Sequence, residues 1–100
     1  MNLIFNTTNY GKVEFELVNK KKTFKKSYRV TPQESDKILE NLEAFLKIPK
    51  IKNPISKIRK IIVYKKNTGS FTGLRIAVAV AVALSLAWGV PVRVVKKNPA

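Results

Sequence analysis

Between Arg75 and Arg93 the chain carries no charged residue. The intervening run reads IAVAVAVALSLAWGVPV. As a membrane span it lies at the low end of the range of about 17–25 residues, and Gly89 and Pro91 break it before its end. The Ala–Val alternation is compatible with a strand, but an Ala-rich run with Leu84, Leu86 and Trp88 suits a helix better. A helix resting on one face of a sheet normally shows water a charged side, and this one has none. A helix that is apolar all round is buried all round. Small residues at Ala77, Ala79, Ala81, Ala83 and Ala87 would let another helix approach closely. The run therefore predicts a contact helix rather than a membrane segment.

The rest of the chain supplies a sheet for that helix. Leu3, Ile4 and Phe5 are consecutive apolar residues, as in a central strand buried on both faces. KVEFELV alternates, with Val13, Phe15 and Leu17 on one side and Lys12, Glu14 and Glu16 on the other. Asn9-Tyr10-Gly11 between these runs fits a hairpin turn. TFKKSYRV puts Phe24, Tyr28 and Val30 on one side, and Lys26 on that same side is a device that protects edge strands. The period then changes. Thr31-Pro32-Gln33-Glu34 has the form of a capped helix start, and Ile38, Leu39, Leu42, Phe45 and Leu46 recur at helical spacing up to Pro49. KIKNPISKIR reads as a basic linker broken by Pro54, Ile61–Tyr64 as a further strand, Gly69 and Ser70 as a helix start, Gly89 as its end and VPVRVV as a last strand.

The order β-β-β-α-β-α-β predicts an α/β fold: a mixed five-stranded sheet ordered 3-2-1-4-5 with two helices on one face. That is the core of the ribonuclease-H/actin-like architecture. Residues 1–100 make a single domain on this reading. The opposite sheet face is expected to lack a covering layer and to show apolar side chains from Leu3–Phe5 and Ile61–Val63.

Charge and missing residue types narrow the function. Twenty Lys and Arg against six Asp and Glu give a net charge of +14, which favours acidic partners. The lysines at Lys20, Lys21, Lys22, Lys65 and Lys66 are candidates for RNA phosphate contact. With no Cys and no His, thiolate chemistry, Cys/His metal sites and imidazole acid–base catalysis are excluded. Four of the six acids, Glu34, Asp36, Glu40 and Glu43, fall on the first helix and do not converge on strand ends. The expectation is a non-enzyme without metal or cofactor. Gly69, Ser70 and Thr72 could cradle an anion at a helix N-terminus, but no Lys follows where a phosphate loop needs one. The MNLIFNTTNYGK start lacks the form of a secretory signal, and the expected location is the cytoplasm.

GSFTGLRI at 69–76, then the Ala-rich helix and Gly89-Val90-Pro91-Val92, closely resembles the TsaB family. This family serves the bacterial synthesis of threonylcarbamoyladenosine beside the tRNA anticodon. IFNTT stands where the family has IDTS, and ESDKILENLEAFL resembles its first helix. The resemblance implies a non-catalytic actin-like half. It implies pairing with the catalytic protein TsaD, or with a second copy, through a bundle of the two helices. Nucleotide at such an interface is not predicted, and tRNA would be met through the complex. Asn6 replaces the family's usual Asp, Lys65-Lys66-Asn67-Thr68 replaces a Gly/Pro-rich lead-in, and Val80 and Val82 replace Thr and Lys. The family's second domain has no counterpart in these hundred residues.

The leading expectation is thus a partner protein in this tRNA modification. Its interface residues are expected to be Ile38, Leu42, Phe45, Ala77, Ala81, Leu84 and Trp88. The alternatives are a basic RNA-associated module with a degenerate ribonuclease-H-like fold and, behind it, a small membrane protein.

Overall fold

The structure, a computed structural model, describes residues 1–7, 12–20, 22–29, 37–48, 54–65 and 72–96. Strands β1 (Asn2–Asn6), β2 (Lys12–Val18) and β3 (Thr23–Arg29) are followed by helix α1 (Ile38–Lys47) and a short helix α2 (Pro54–Lys57). Strand β4 (Lys60–Lys65), helix α3 (Thr72–Trp88) and strand β5 (Val92–Lys96) complete the chain. The sheet order is β3-β2-β1-β4-β5, antiparallel from β3 to β1 and parallel from β1 to β5. This is the mixed sheet that the sequence predicts. The expected turn at Asn9–Gly11, the helix start at Thr31–Glu34 and the helix cap at Ser70 lie outside the described residues.

Alternation decides which side chains meet the helices. Leu3 and Phe5 of β1, Val13, Phe15 and Leu17 of β2, and Ile61 and Val63 of β4 are buried on one face. They join Ile38, Leu42 and Phe45 of α1 and Leu74, Ala77 and Ala81 of α3 in one core, so both long helices cover the same face. Phe15 is the centre of an aromatic cluster. Its ring meets Phe5 edge-on at 5.3 Å and lies tilted against Tyr28 at 5.6 Å and Phe45 at 5.7 Å. These contacts tie three strands to α1. Burial pushes the Tyr28 phenol above its ordinary value of 10.0. Lys26 stands 5.7 Å over the Tyr28 ring, a cation closing the β3 edge as the sequence predicts.

The expected linker contains structure. Pro54 opens α2, where its fixed φ suits the first helical position and its missing N–H costs nothing. The Ile58 N–H donates to the Ile55 carbonyl at 3.2 Å, and the Ile58 side chain is buried in the core. The next N–H, of Arg59, donates to the Met1 carbonyl at 2.8 Å and leads the chain into β4 beside β1.

The far end of α3 is stopped as expected. Gly89 has φ +66°, the left-handed conformation that ends many helices. The Val90 N–H reaches back to the Ser85 carbonyl at 3.2 Å, and the Ser85 hydroxyl donates to the Val90 carbonyl. The Pro91 carbonyl then accepts from the Ile61 N–H at 2.9 Å, which starts the β4–β5 ladder.

Neither α1 nor α3 covers the opposite sheet face, yet that face is less apolar than expected. Of the residues expected there, Leu3, Phe5, Ile61 and Val63 point to the helix side, and Ile4 and Ile62 point away, beside Val18, Tyr64 and Val95. Ile4, flanked by Glu16 and Ile62 on the neighbouring strands, is 6% exposed. Glu16, on that face, is 7% exposed and pairs with Lys25 at 3.2 Å. Glu14 accepts from the Ser27 hydroxyl at 3.2 Å.

Phe15→Ala should cost about 3–5 kcal/mol in urea unfolding, because it empties the centre of the aromatic cluster. Gly89→Ala should cost roughly 1–2 kcal/mol. A Cβ at Gly89 meets nothing within 4 Å, so this cost is conformational, and Gly89→Asn should recover part of it.

Candidate protein-interaction site

α3 is laid on the sheet along one stripe. Leu74, Ala77 and Ala81 are buried, with Leu84 and Trp88 half-buried against the same core. Their spacing of three and four residues is the ordinary seam of a helix on a packed surface. The alanines in that seam have short side chains, so the helix axis sits close to the strands.

The outward side of α3 has the same chemistry as the inward side. Arg75 is exposed near its start, and beyond it the exposed residues are Ala79, Val82, Ala83, Leu86 and Ala87. Leu86 is 81% exposed and Val82 42% exposed. Leu39 and Ile48 of the α1 segment are also about half exposed. Isolated surface leucines are common, but an apolar side that runs the length of a helix marks a contact surface.

The candidate interface set therefore changes face. Ile38, Leu42, Phe45, Ala77 and Ala81 are at most 1% exposed inside this chain's own core. They hold the helices on the sheet and have no surface left for a partner. Leu84 and Trp88 sit at the seam margin. The residues that reach solvent from α3 are their neighbours at Ala79, Val82, Ala83, Leu86 and Ala87. Helical periodicity alone could not separate the two sides, because alanine and valine occupy both. The small residues expected to admit another helix are split: Ala77 and Ala81 admit the sheet, and Ala79, Ala83 and Ala87 face out.

The other candidates are dispersed. Gly69, Ser70, Lys21 and Lys66 lie outside the described residues, and Thr72 is the first residue of α3. Lys20 and Lys22 are exposed beside the β2–β3 connection, and Lys65 is half-buried at the end of β4. Asn6 ends β1 beside Tyr64 of β4. Next to it, Thr7 is buried and donates both its N–H and its hydroxyl to the Tyr64 carbonyl, at 2.9 and 2.6 Å. Among the described residues no three His, Cys, Asp or Glu gather as a metal site would require. None of the described helices is long and apolar enough to cross a membrane.

No protein-family profile matches the chain, and no curated protein matches it in sequence. Solved structures do match its fold. YeaZ, the TsaB protein of Pseudomonas aeruginosa, superposes with a TM-score of 0.76 at 21% identity, over 95% of this chain and 43% of YeaZ. A second Pseudomonas aeruginosa structure, described as similar to the peptidase YeaZ, gives 0.77 at 21% identity over 95% and 42%. RuvC of T. thermophilus, solved with a Holliday junction substrate, gives 0.52 at 14% identity over 94% and 61%. The chain thus spans about four-tenths of the YeaZ proteins it resembles. Its fold is ribonuclease-H/actin-like, of the form found in YeaZ.

Proposed function

We propose that this chain acts as a TsaB-type partner protein, without catalysis of its own, in the synthesis of threonylcarbamoyladenosine on tRNA. It docks on a TsaD-like subunit through the outward side of α3. The observation that carries this reading is the unbroken apolar exterior of α3, at Ala79, Val82, Ala83, Leu86 and Ala87. The YeaZ-like fold and the GSFTGLRI resemblance supply the family context. Covering Leu86 alone would contribute about 1.5–3 kcal/mol, and three outward alanines would let a partner helix settle close to the α3 backbone. A different partner is favoured over a second copy by charge, because two chains of +14 each repel.

A second reading has its own observation. Lys20, Lys22, Lys25, Lys26 and Arg29 are all exposed along the β2–β3 edge. That stripe suits a phosphate backbone and would let the complex meet tRNA directly, at a place remote in the sheet order from β5. Binding through it should weaken steeply as salt rises.

The test of docking is titration against TsaD from the same organism. The wild-type chain should bind at micromolar concentration. Leu86→Lys should weaken binding at least tenfold while leaving stability within about 0.5 kcal/mol, because it changes an exposed side chain. Ala81→Met should instead cost about 1–3 kcal/mol of stability by overpacking the seam. A chain that is monomeric by light scattering and shows no TsaD binding at micromolar concentration overturns the proposal.

A further inference from the structure

The two edges of the sheet are finished differently. On β3, Lys25, Lys26, Ser27 and Arg29 are exposed, and Lys26 is turned to the helix side, where it obstructs a neighbouring strand. β5 carries a helix-side lysine only at its last residue, Lys96, and is apolar there at Val92 and Val94. Its sequence is VRVVK, and Val94 and Val95 are 45% and 38% exposed on opposite faces of the sheet.

The β5 backbone is available along the same length. Because the Pro91 carbonyl accepts from Ile61, the parallel ladder directs the N–H and C=O groups of Arg93 and Val95 towards β4. Those of Val92, Val94 and Lys96 then point away from β4, at the edge where no described strand follows. This is the pattern that accepts an added strand.

We propose that β5 takes up an extended, carboxylate-bearing peptide segment of another protein as a sixth strand. The guest would pair with the outward backbone groups of Val92, Val94 and Lys96. An apolar guest side chain would lie beside Val94 on the helix side, and a carboxylate would lie beside Arg93 on the open side. Charge selects this guest over a second copy of β5. Two β5 strands paired antiparallel about Val94 would set their Arg93 side chains diagonally across one face, at roughly 7–8 Å, in chains already at +14. The site is separate from the outward side of α3, so the proposal stands or falls independently of the TsaD reading.

Val94→Pro tests it without disturbing the existing sheet. The Val94 N–H points to the open edge, so proline there removes a bond to the guest and none to β4. The probe is a fluorescein-labelled synthetic peptide of alternating valine and glutamate, with an alternating valine–lysine peptide as control. Fluorescence anisotropy should show the glutamate peptide binding the intact chain and the lysine peptide binding at least tenfold more weakly. Val94→Pro should weaken the glutamate peptide at least tenfold with an unchanged circular dichroism spectrum. Arg93→Glu should reverse the preference between peptides, and it keeps the proposal testable if Val94→Pro unfolds. No binding of the glutamate peptide up to millimolar concentration overturns it. So does binding that a folded Val94→Pro leaves intact, a preference that Arg93→Glu does not change, or a dimer of the intact chain that Val94→Pro dissociates.

Discussion

A helix laid on a sheet can bury one stripe of itself, and α3 is apolar on every side. Its inward stripe is used: Leu74, Ala77 and Ala81 vanish into the core, and Leu84 and Trp88 edge it. Its outward stripe of alanine, valine and leucine has no layer above it among the described elements. Among the described residues, that exterior makes no contact that would stabilise α3 on the sheet. It is consistent with a surface that spends its working life against another protein. The rest of the fold fixes where that surface stands, because the aromatic cluster at Phe15 anchors α1 and the strands beneath.

The two sheet faces divide the remaining work. The helix face carries the hydrophobic core. On the other face Glu16 pairs with Lys25, and both Glu16 and Ile4 are buried. Among the described residues, Lys25, Lys26 and Arg29 line the exposed β3 edge. The exterior of α3 carries no charge beyond Arg75 that would oppose an apolar contact.

Most of the fold was legible in the sequence because period and punctuation agree. Val13, Phe15 and Leu17 could only be one face of a strand, and Gly89 followed by Pro91 could only be a helix end. The sheet order followed from three strands in a meander and two crossovers of one hand. α2 was missed because four residues are too few to show a period, and nothing in that basic segment separates Ile58, which is buried, from Ile55, which is exposed. Burial of Glu16 was invisible because alternation predicts only the side a residue takes, and a lysine on the next strand decides the rest. The site was legible as a helix but not as a face. Where both sides are built from alanine and valine, only the position of the sheet reveals that Ala81 is inside and Leu86 outside.

The central claim, that the exterior of α3 is a contact surface for TsaD, is tested most directly by hydroxyl-radical footprinting of the chain with and without TsaD. Leu86 and Val82, both exposed in the free chain, should lose most of their labelling in the complex, while Ile55, exposed on α2, keeps its own. Unchanged labelling of Leu86 and Val82 in a mixture where TsaD is bound would contradict the account.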